Sequence, residues 1–373
     1  MGRQIDQPRI WWEDITGPRS IIEEIVDSLS DLKSVALELP VDCPWVSDMR
    51  LCAESRIRDE YGLEDLSLEV IADPGDDPLK YLLDHFARSE DRRNYRSSFA
   101  PQTYLRDHEV TKGKIIWVVT RTETETDAWS SFVSNWKPSS PVNGLFVIEA
   151  GNGVAERLPA SPDRLCHIDY NARVSGYSIS LFNGSLVAER SNSDAGVNRK
   201  RYQAALLTHV CGRNVEVAEM LSGHLDDFAS DPIGTLKRAA VLLDNRDLLD
   251  GTHIFALCNR NNAEEVNRRV WAAQVEVLFP LIETLRLSIV ESLADKLSVL
   301  LADEGLRGHD GPPTNIEDIE LGGLVYLMAS QKLEPHDPSQ KRAIHLLRNC
   351  RNDIAHRRAC PWEEVEKLLE LVE

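Results

Sequence analysis

Short apolar runs alternate with helix-compatible segments in the first half of the chain. Runs rich in β-branched or aromatic residues predict strands at 34–39, 66–71, 115–119, 144–148 and 165–168. Segments between them, such as 78–87 and 126–136, have the spacing of amphipathic helices. Because this alternation normally builds a parallel sheet covered by helices, the sequence predicts an α/β layer domain over 1–198.

Near the start of the chain, the sequence Ser20-Ile21-Ile22-Glu23 has the form of a capping box and predicts an early helix over 20–31.

Helical patterning takes over in the second half of the chain, because the strand signal disappears beyond residue 198. The basic cluster at 198–201 is interpreted as a solvated loop. Short helices over 199–255, including one near 215–221, predict a small helical subdomain.

The last third, over 256–373, predicts an all-α helical bundle. A long helical segment over 263–302 contains Pro280 and should kink there. Residues 305–313, rich in glycine and proline, predict a loop. Further helices are expected near 319–331, over 338–356 and from Pro361 to the end.

Composition narrows the class of protein. The chain has 373 residues, of which 42% are hydrophobic and 28% charged, and this balance excludes wholesale disorder. The formal net charge of −19 repels polyanions at long range, so any nucleic-acid contact has to be local. No stretch resembles a membrane span, and the opening residues lack a positive segment followed by an apolar one. We therefore expect a cytoplasmic protein without membrane contact.

Seven cysteines are scattered along the chain, without a C-x-x-C pair. Their number and spacing predict reduced, mostly structural thiols rather than a zinc site. We expect neither a metal nor a cofactor.

A basic island lies near the C-terminus. Residues 341–358 include six Lys or Arg and a single acid, which suits local capture of a phosphate backbone. At about 100° per residue, one face of the predicted helix is expected in the core: Ala343, Leu346, Leu347, Cys350 and Ile354. The opposite face is polar, with Arg351 at its flank: His345, Arg348, Asn349, Asn352 and His356. A purely solvated face is the alternative interpretation.

Residues Arg351-Asn352-Asp353-Ile354-Ala355-His356 resemble the R-x(4–6)-H signature of the HEPN superfamily, in its R-N-x-x-x-H form. The resemblance extends from about residue 270 to the C-terminus. It implies a helical bundle that dimerises so that two motifs face each other across a cleft. Many members of this family are metal-independent endoribonucleases of toxins and antiviral defence proteins, and others are binding modules without catalysis.

The resemblance assigns roles residue by residue. Arg351 and His356 match the catalytic pair, and Asn352 matches the polar residue beside the arginine. His356 would transfer protons while Arg351 stabilises the anionic transition state. The polar face and the basic loop after it supply the candidate RNA-binding residues, which are His345, Arg348, Asn349, Arg357 and Arg358. Glu283 and Arg286, an i,i+3 pair on the long helix, are expected to support the motif or to form an ordinary helix salt bridge.

The N-terminal region resembles a degenerate P-loop ATPase of the AAA or STAND type. Residues 14–19, the helix after them and the strand ending at Leu39-Pro40 carry this resemblance. A phosphate loop needs G-x-x-x-x-G-K-[ST], whereas residues 39–45 contain neither glycine nor lysine. We therefore expect a domain that does not hydrolyse nucleotide and binds a protein partner; a different α/β fold is the alternative.

Two functions remain open from the sequence. The first is a homodimeric, metal-independent endoribonuclease that acts on RNA in an antiviral defence or toxin setting and is regulated by its N-terminal domain. The second is a catalytically silent adaptor of a larger defence or regulatory complex. An active NTPase is disfavoured by residues 40–44.

Overall fold

The computed structural model describes residues 6–61, 66–138, 140, 143–151, 164–192, 194–241, 253–255, 263–302 and 314–372. The chain forms two compact units, Met1–Phe182 and Asn183–Glu373. The expected boundaries near residues 198 and 255 stay predictions.

The first unit is built on a parallel sheet of five strands. These are β1 (Ser34–Leu39), β2 (Ser67–Ile71), β3 (Lys114–Thr120), β4 (Leu145–Gly151) and β5 (Leu165–Asp169). They lie in the order β2-β3-β4-β1-β5, and every pairing is parallel. The prediction of an α/β layer with a parallel sheet is confirmed, and each predicted strand overlaps an observed one. β1 lies between β4 and the edge strand β5, so the loop after it leaves from an interior strand of the sheet.

Helices cover both faces of this sheet, which explains why its strands are apolar almost throughout. The helices are α1 (Gln7–Arg9), α2 (Thr16–Ser30), α3 (Val46–Tyr61), α4 (Pro78–Phe86), α5 (Ser89–Asn94), α6 (Pro101–Asp107), α7 (Glu123–Ser134), α8 (Tyr170–Arg173) and α9 (Gly176–Arg190), and a π-helix, Ile10–Asp14, follows α1. On one face Ala36, Ile116 and Ile148 join a core with Leu82 of α4 and Trp129 of α7. The other face packs against α2 and α8.

The predicted capping box at Ser20 is wrong. Helix α2 already begins at Thr16, and the Ser20 hydroxyl donates to the Gly17 carbonyl within the helix, at 2.7 Å. Pro18 falls in the first turn, where its missing N–H has no intrahelical partner to lose. A complete capping box forms instead between Thr122 and Glu125 at the start of α7. The four-residue pattern is local and recurs, so it does not by itself locate a helix start.

In the second unit the described residues form helices and connecting segments without strands. After α9, which contains the boundary between the units, come α10 (Val197–Cys211), α11 (Val215–Ser222), α12 (Leu225–Ser230), α13 (Pro232–Ala240), α14 (Ala263–Ser292), α15 (Ala294–Ala302), α16 (Leu321–Ala329), α17 (Pro338–Ala355) and α18 (Trp362–Glu370). Helix α14 packs against α10 and α17, and α17 also contacts α16 and α18. Among the described helices, none is both long and apolar enough to cross a membrane.

Two local expectations in this unit need correction. Residues 198–201 are not a loop but lie in the first turns of α10, where Arg199 pairs with Asp226 and sits over the Trp362 ring, 5.5 Å from its centroid. The long helical segment over 263–302 is two helices, interrupted at Leu293; α14 runs through Pro280, and the kink predicted there stays a prediction. The predicted loop at 305–313 lies outside the described residues.

Candidate functional site

The R-N-x-x-x-H residues lie at the carboxyl-terminal end of α17. The helix starts where the Asp337 carboxylate accepts hydrogen bonds from the Ser339 and Gln340 amides, at 2.7 and 2.9 Å. It ends at Ala355, and the His356 amide donates to the Asn352 carbonyl at 3.0 Å. Arg357 then adopts a left-handed backbone with φ of 56°, so the chain turns directly after the motif. Local helix signals therefore place His356 on a helix end.

The core face of α17 is close to the prediction. Leu347, Cys350 and Ile354 are buried as expected, and Ile344 joins them. Ala343 and Leu346 are half-buried rather than fully enclosed. The buried face is therefore rotated slightly toward Ile344, because α14 and α16 both pack against this helix.

The opposite face of α17 has polar groups without partners in the described chain. His345, Arg348 and Asn352 are half-buried, whereas Asn349 and His356 are exposed. None of the five side chains has a hydrogen bond or an ion pair with a described residue. The arc that they occupy contains no carboxylate. We call this set, His345, Arg348, Asn349, Asn352 and His356, the polar face.

Arg351 lies at the flank of the polar face and is not free. Its Nη2 is 3.2 Å from Oε2 of Glu320, the residue before α16. The two side chains are 37% and 69% exposed, so water screens the pair and it stabilises the fold by less than about 1 kcal/mol. The contact directs the guanidinium toward Glu320, and little free energy is needed to break it.

Glu283 and Arg286 form the expected pair on α14, with 2.7 Å between Oε2 and Nε. Arg286 also donates from Nη1 to the carbonyl oxygens of Glu317 and Ile319, at 2.8 and 3.1 Å. These bonds hold the backbone that leads into Glu320. The supporting role of Glu283 and Arg286 stays a prediction. Their contacts reach Arg351 only through the segment that carries Glu320.

Two side chains of α14 anchor the motif, and neither is identified by the sequence analysis. Trp271 donates from Nε1 to the Ile354 carbonyl at 2.8 Å, which satisfies one of the last carbonyls of α17. Gln274 is fully buried; its Oε1 accepts from the Cys360 amide at 2.7 Å and its Nε2 donates to the Cys360 carbonyl at 3.1 Å. Together they fix the backbone on both sides of His356. An amide within an otherwise apolar helix stripe is the sequence signal that points to such a role.

The two arginines after the motif differ. Arg358 folds back onto Asp353, with 2.9 Å between Nη2 and Oδ1. Arg357 is exposed and has no ion pair with a described residue. Of the two predicted RNA contacts in this loop, Arg357 is therefore the one whose charge is available.

The thiols that flank the motif are buried. Cys360 donates from Sγ to the Cys350 carbonyl, and Cys350 contacts the Glu364 carboxylate at 3.7 Å. The hydrogen bond with Cys360, burial and the negative charge of Glu364 all raise the pKa of the Cys350 thiol. Cys350 is therefore protonated at neutral pH and packs as a small apolar group.

The loop after β1 in the first unit is held by aromatic side chains from the loop and from two helices. Trp45 has a left-handed backbone with φ of 45°, its carbonyl accepts from Trp12 Nε1 at 3.1 Å, and its ring packs on Phe182. Beside the loop, Arg50 of α3 binds Glu149 of β4 with both carboxylate oxygens at 2.7 Å. The Trp45 carbonyl and the Arg50 guanidinium therefore both have partners within the first unit.

Neither a metal centre nor a known relative defines the site. Within the described ranges, no group of three or more His, Cys, Asp or Glu side chains is placed to hold a metal ion. No protein-family model matches the chain, and neither does any curated protein or solved structure. The functional argument therefore rests on the residues themselves.

Proposed function

We propose that the second unit is a metal-independent endoribonuclease of the HEPN type. The observation that carries the proposal is the polar face of α17, which has no carboxylate, has no partner among the described residues, and ends at His356 with Arg351 at its flank. A face that served only as solvated surface would not need two imidazoles, a cation and two amides in an arc free of acids. The arrangement suits an RNA backbone in a chain whose net charge is −19.

The proposed reaction uses groups that RNA and the protein already have. The 2′-hydroxyl attacks the adjacent phosphorus while an imidazole accepts its proton. The bond to the 5′-oxygen breaks, a second imidazole protonates that oxygen, and the product ends are a 2′,3′-cyclic phosphate and a 5′-hydroxyl. Arg351 stabilises the phosphorane charge, and Asn352 hydrogen-bonds a phosphate oxygen. A homodimer through the helical unit supplies the second His356, because a two-fold axis brings identical faces together.

The first unit is proposed to be a non-hydrolysing, ATPase-like domain that regulates the nuclease through a protein partner. Support comes from the interior position of β1 in the parallel sheet and from the loop after it, which Trp12, Trp45 and Phe182 pack around. Antiviral defence or toxin action is the setting that this combination of domains suggests.

A catalytically silent adaptor is the second candidate. The contact of Arg351 with Glu320 favours it, because a carboxylate already occupies the guanidinium that would bind phosphate. In this alternative the polar face binds a partner without cleaving it.

The deciding experiment incubates the full chain with a mixed RNA pool in EDTA and compares it with His356→Ala and Arg351→Ala. Cleavage that leaves 2′,3′-cyclic phosphate ends and falls at least about 100-fold in both variants supports the nuclease. Lys237→Ala removes an exposed cation on a different helix, α13, and is the matched control. RNA retention without cleavage supports the adaptor, and a protein that remains monomeric by light scattering contradicts the dimeric site.

A further inference from the structure

A cavity of about 690 Å³ lies where the chain passes from α16 to α17. Its lining is mixed: Met328, Leu333, Pro335 and Pro338 are apolar, whereas Gln331, Glu334, His336, Asp337 and Lys341 are polar or charged. The volume falls within the range of small-molecule sites. The Asp337 carboxylate, also at this cavity, is engaged by the amides at the start of α17.

The cavity lies at the beginning of the polar face. Lys341 lines the cavity, and His345, Arg348, Asn352 and His356 follow on α17 within an arc of about 100°. The Lys341 side chain has no hydrogen bond or ion pair with a described residue. At 1.5 Å per residue, Lys341 and His356 are about 22 Å apart along the helix. The polar face therefore runs from the cavity to the catalytic end of α17 without an intervening acid.

We propose that this cavity is a subsite for one nucleobase of a single-stranded RNA whose backbone follows the polar face to His356. The inference rests on the proposed ribonuclease function and specifies its substrate. An unpaired base enters a cavity without the loss of a base pair, whereas a duplex base must first be unpaired and unstacked. Gln331 can donate to and accept from a base edge, Met328 and Leu333 offer surface to its ring, and Lys341 neutralises the adjoining phosphate.

The distance makes the length of the RNA a direct test. A strand stacked at 3.4 Å per nucleotide covers 22 Å with about six or seven nucleotides, and an extended strand needs fewer. An oligonucleotide of three nucleotides at the His356 end does not reach the cavity when stacked. An oligonucleotide of nine nucleotides does. RNA affinity should therefore rise more steeply than the added phosphate charges alone would cause, once the strand is long enough to reach the cavity.

The experiment measures binding of fluorescent, 2′-O-methylated RNAs of three, six and nine nucleotides to the full chain in EDTA, because these RNAs cannot be cleaved. We expect Met328→Ala and Lys341→Ala to weaken nine-nucleotide binding about tenfold and to leave three-nucleotide binding unchanged. Lys341→Ala should also reduce the slope of log affinity against log salt concentration by about one phosphate contact, whereas Met328→Ala should leave that slope unchanged. Lys237→Ala removes an exposed cation of α13, outside the cavity lining, and is the charge-matched control; thermal unfolding of each variant verifies its fold.

The outcomes separate the two proposals. A flat length series, or a Lys237→Ala loss equal to that of Lys341→Ala, overturns the base subsite. If wild type still cleaves RNA through His356 in that case, the nuclease proposal survives without the subsite. If neither cleavage nor binding of any RNA occurs, both proposals fail.

Discussion

The loop after β1 and the polar face of α17 are the two regions that the family resemblances associate with phosphate, and they differ in how their polar groups are satisfied. Around the β1 loop, Trp12 bonds the Trp45 carbonyl, and Arg50 and Trp117 both donate to Glu149. On the polar face of α17, the side chains have no partner in the described chain. The first region uses its polar groups for folding, whereas the second leaves them without a partner among the described residues.

This difference shows why a charged residue alone is weak evidence for binding. The Glu149 carboxylate is 8% exposed and receives a 2.6 Å bond from Trp117 Nε1, so it could hold a ligand only by losing internal bonds. Arg348 loses nothing within the described chain when it binds phosphate. A candidate site is stronger where its groups have no prior engagement.

The largest expected effect tests the internally satisfied region. Glu149→Ala leaves the Arg50 guanidinium half-buried without its carboxylate, and we expect the free energy of unfolding to fall by about 3–5 kcal/mol. Arg348→Ala on the polar face should change it by less than about 0.5 kcal/mol. Urea unfolding measures both, and equal losses would contradict the comparison.

The second prediction concerns the anchor behind the polar face. Gln274→Leu removes both bonds to Cys360 and leaves its buried amide and carbonyl unpaired, which should cost about 2–3 kcal/mol. Cleavage should fall as well, because the turn after His356 loses its support. Thr284→Ala, an exposed change on the same helix, is the control. Unaltered stability of the Gln274→Leu protein would show that the backbone of Cys360 finds other partners.

The third prediction uses pH. Hydrogen bonds from Arg268 and Arg269 lower the pKa of Glu265 to about 2. Because this folded-state pKa lies below the ordinary value, the stabilisation is complete above about pH 4.5 and disappears as the pH falls toward 2. Between pH 7 and pH 3, wild type should lose about 1 kcal/mol more than Glu265→Gln in urea unfolding. Parallel curves for the two proteins would exclude this contribution.

The smallest effect on stability concerns the exposed contact of Arg351. Glu320→Gln should change the free energy of unfolding by no more than about 0.5 kcal/mol, since the pair is screened by water. RNA affinity should rise about two- to fivefold, because Arg351 is released and a nearby negative charge is removed. Glu317→Gln alters an equally exposed acid three residues earlier and serves as control. An equal gain in both variants would reflect net charge rather than release of Arg351.

Local sequence patterns predicted much of the first unit and the faces of α17. Runs of β-branched and aromatic residues identified the strands, because side-chain shape favours extended backbone within a few residues. No local pattern predicted α3, whose residues are mostly polar. The capping-box pattern at Ser20 placed the start of α2 four residues too late. In both cases packing against distant elements decides the helix, and a short window of sequence does not contain that information.

The sequence by itself determined which residues share a face of α17, because helix geometry repeats every few residues and needs no other element. Only the tertiary structure decided which of those residues are engaged. Glu320, Trp271 and Gln274 reach Arg351, Ile354 and Cys360 from 31, 83 and 86 positions away along the chain. Hydrogen bonds and ion pairs act over a few ångströms in space, so their partners emerge only when the helices pack.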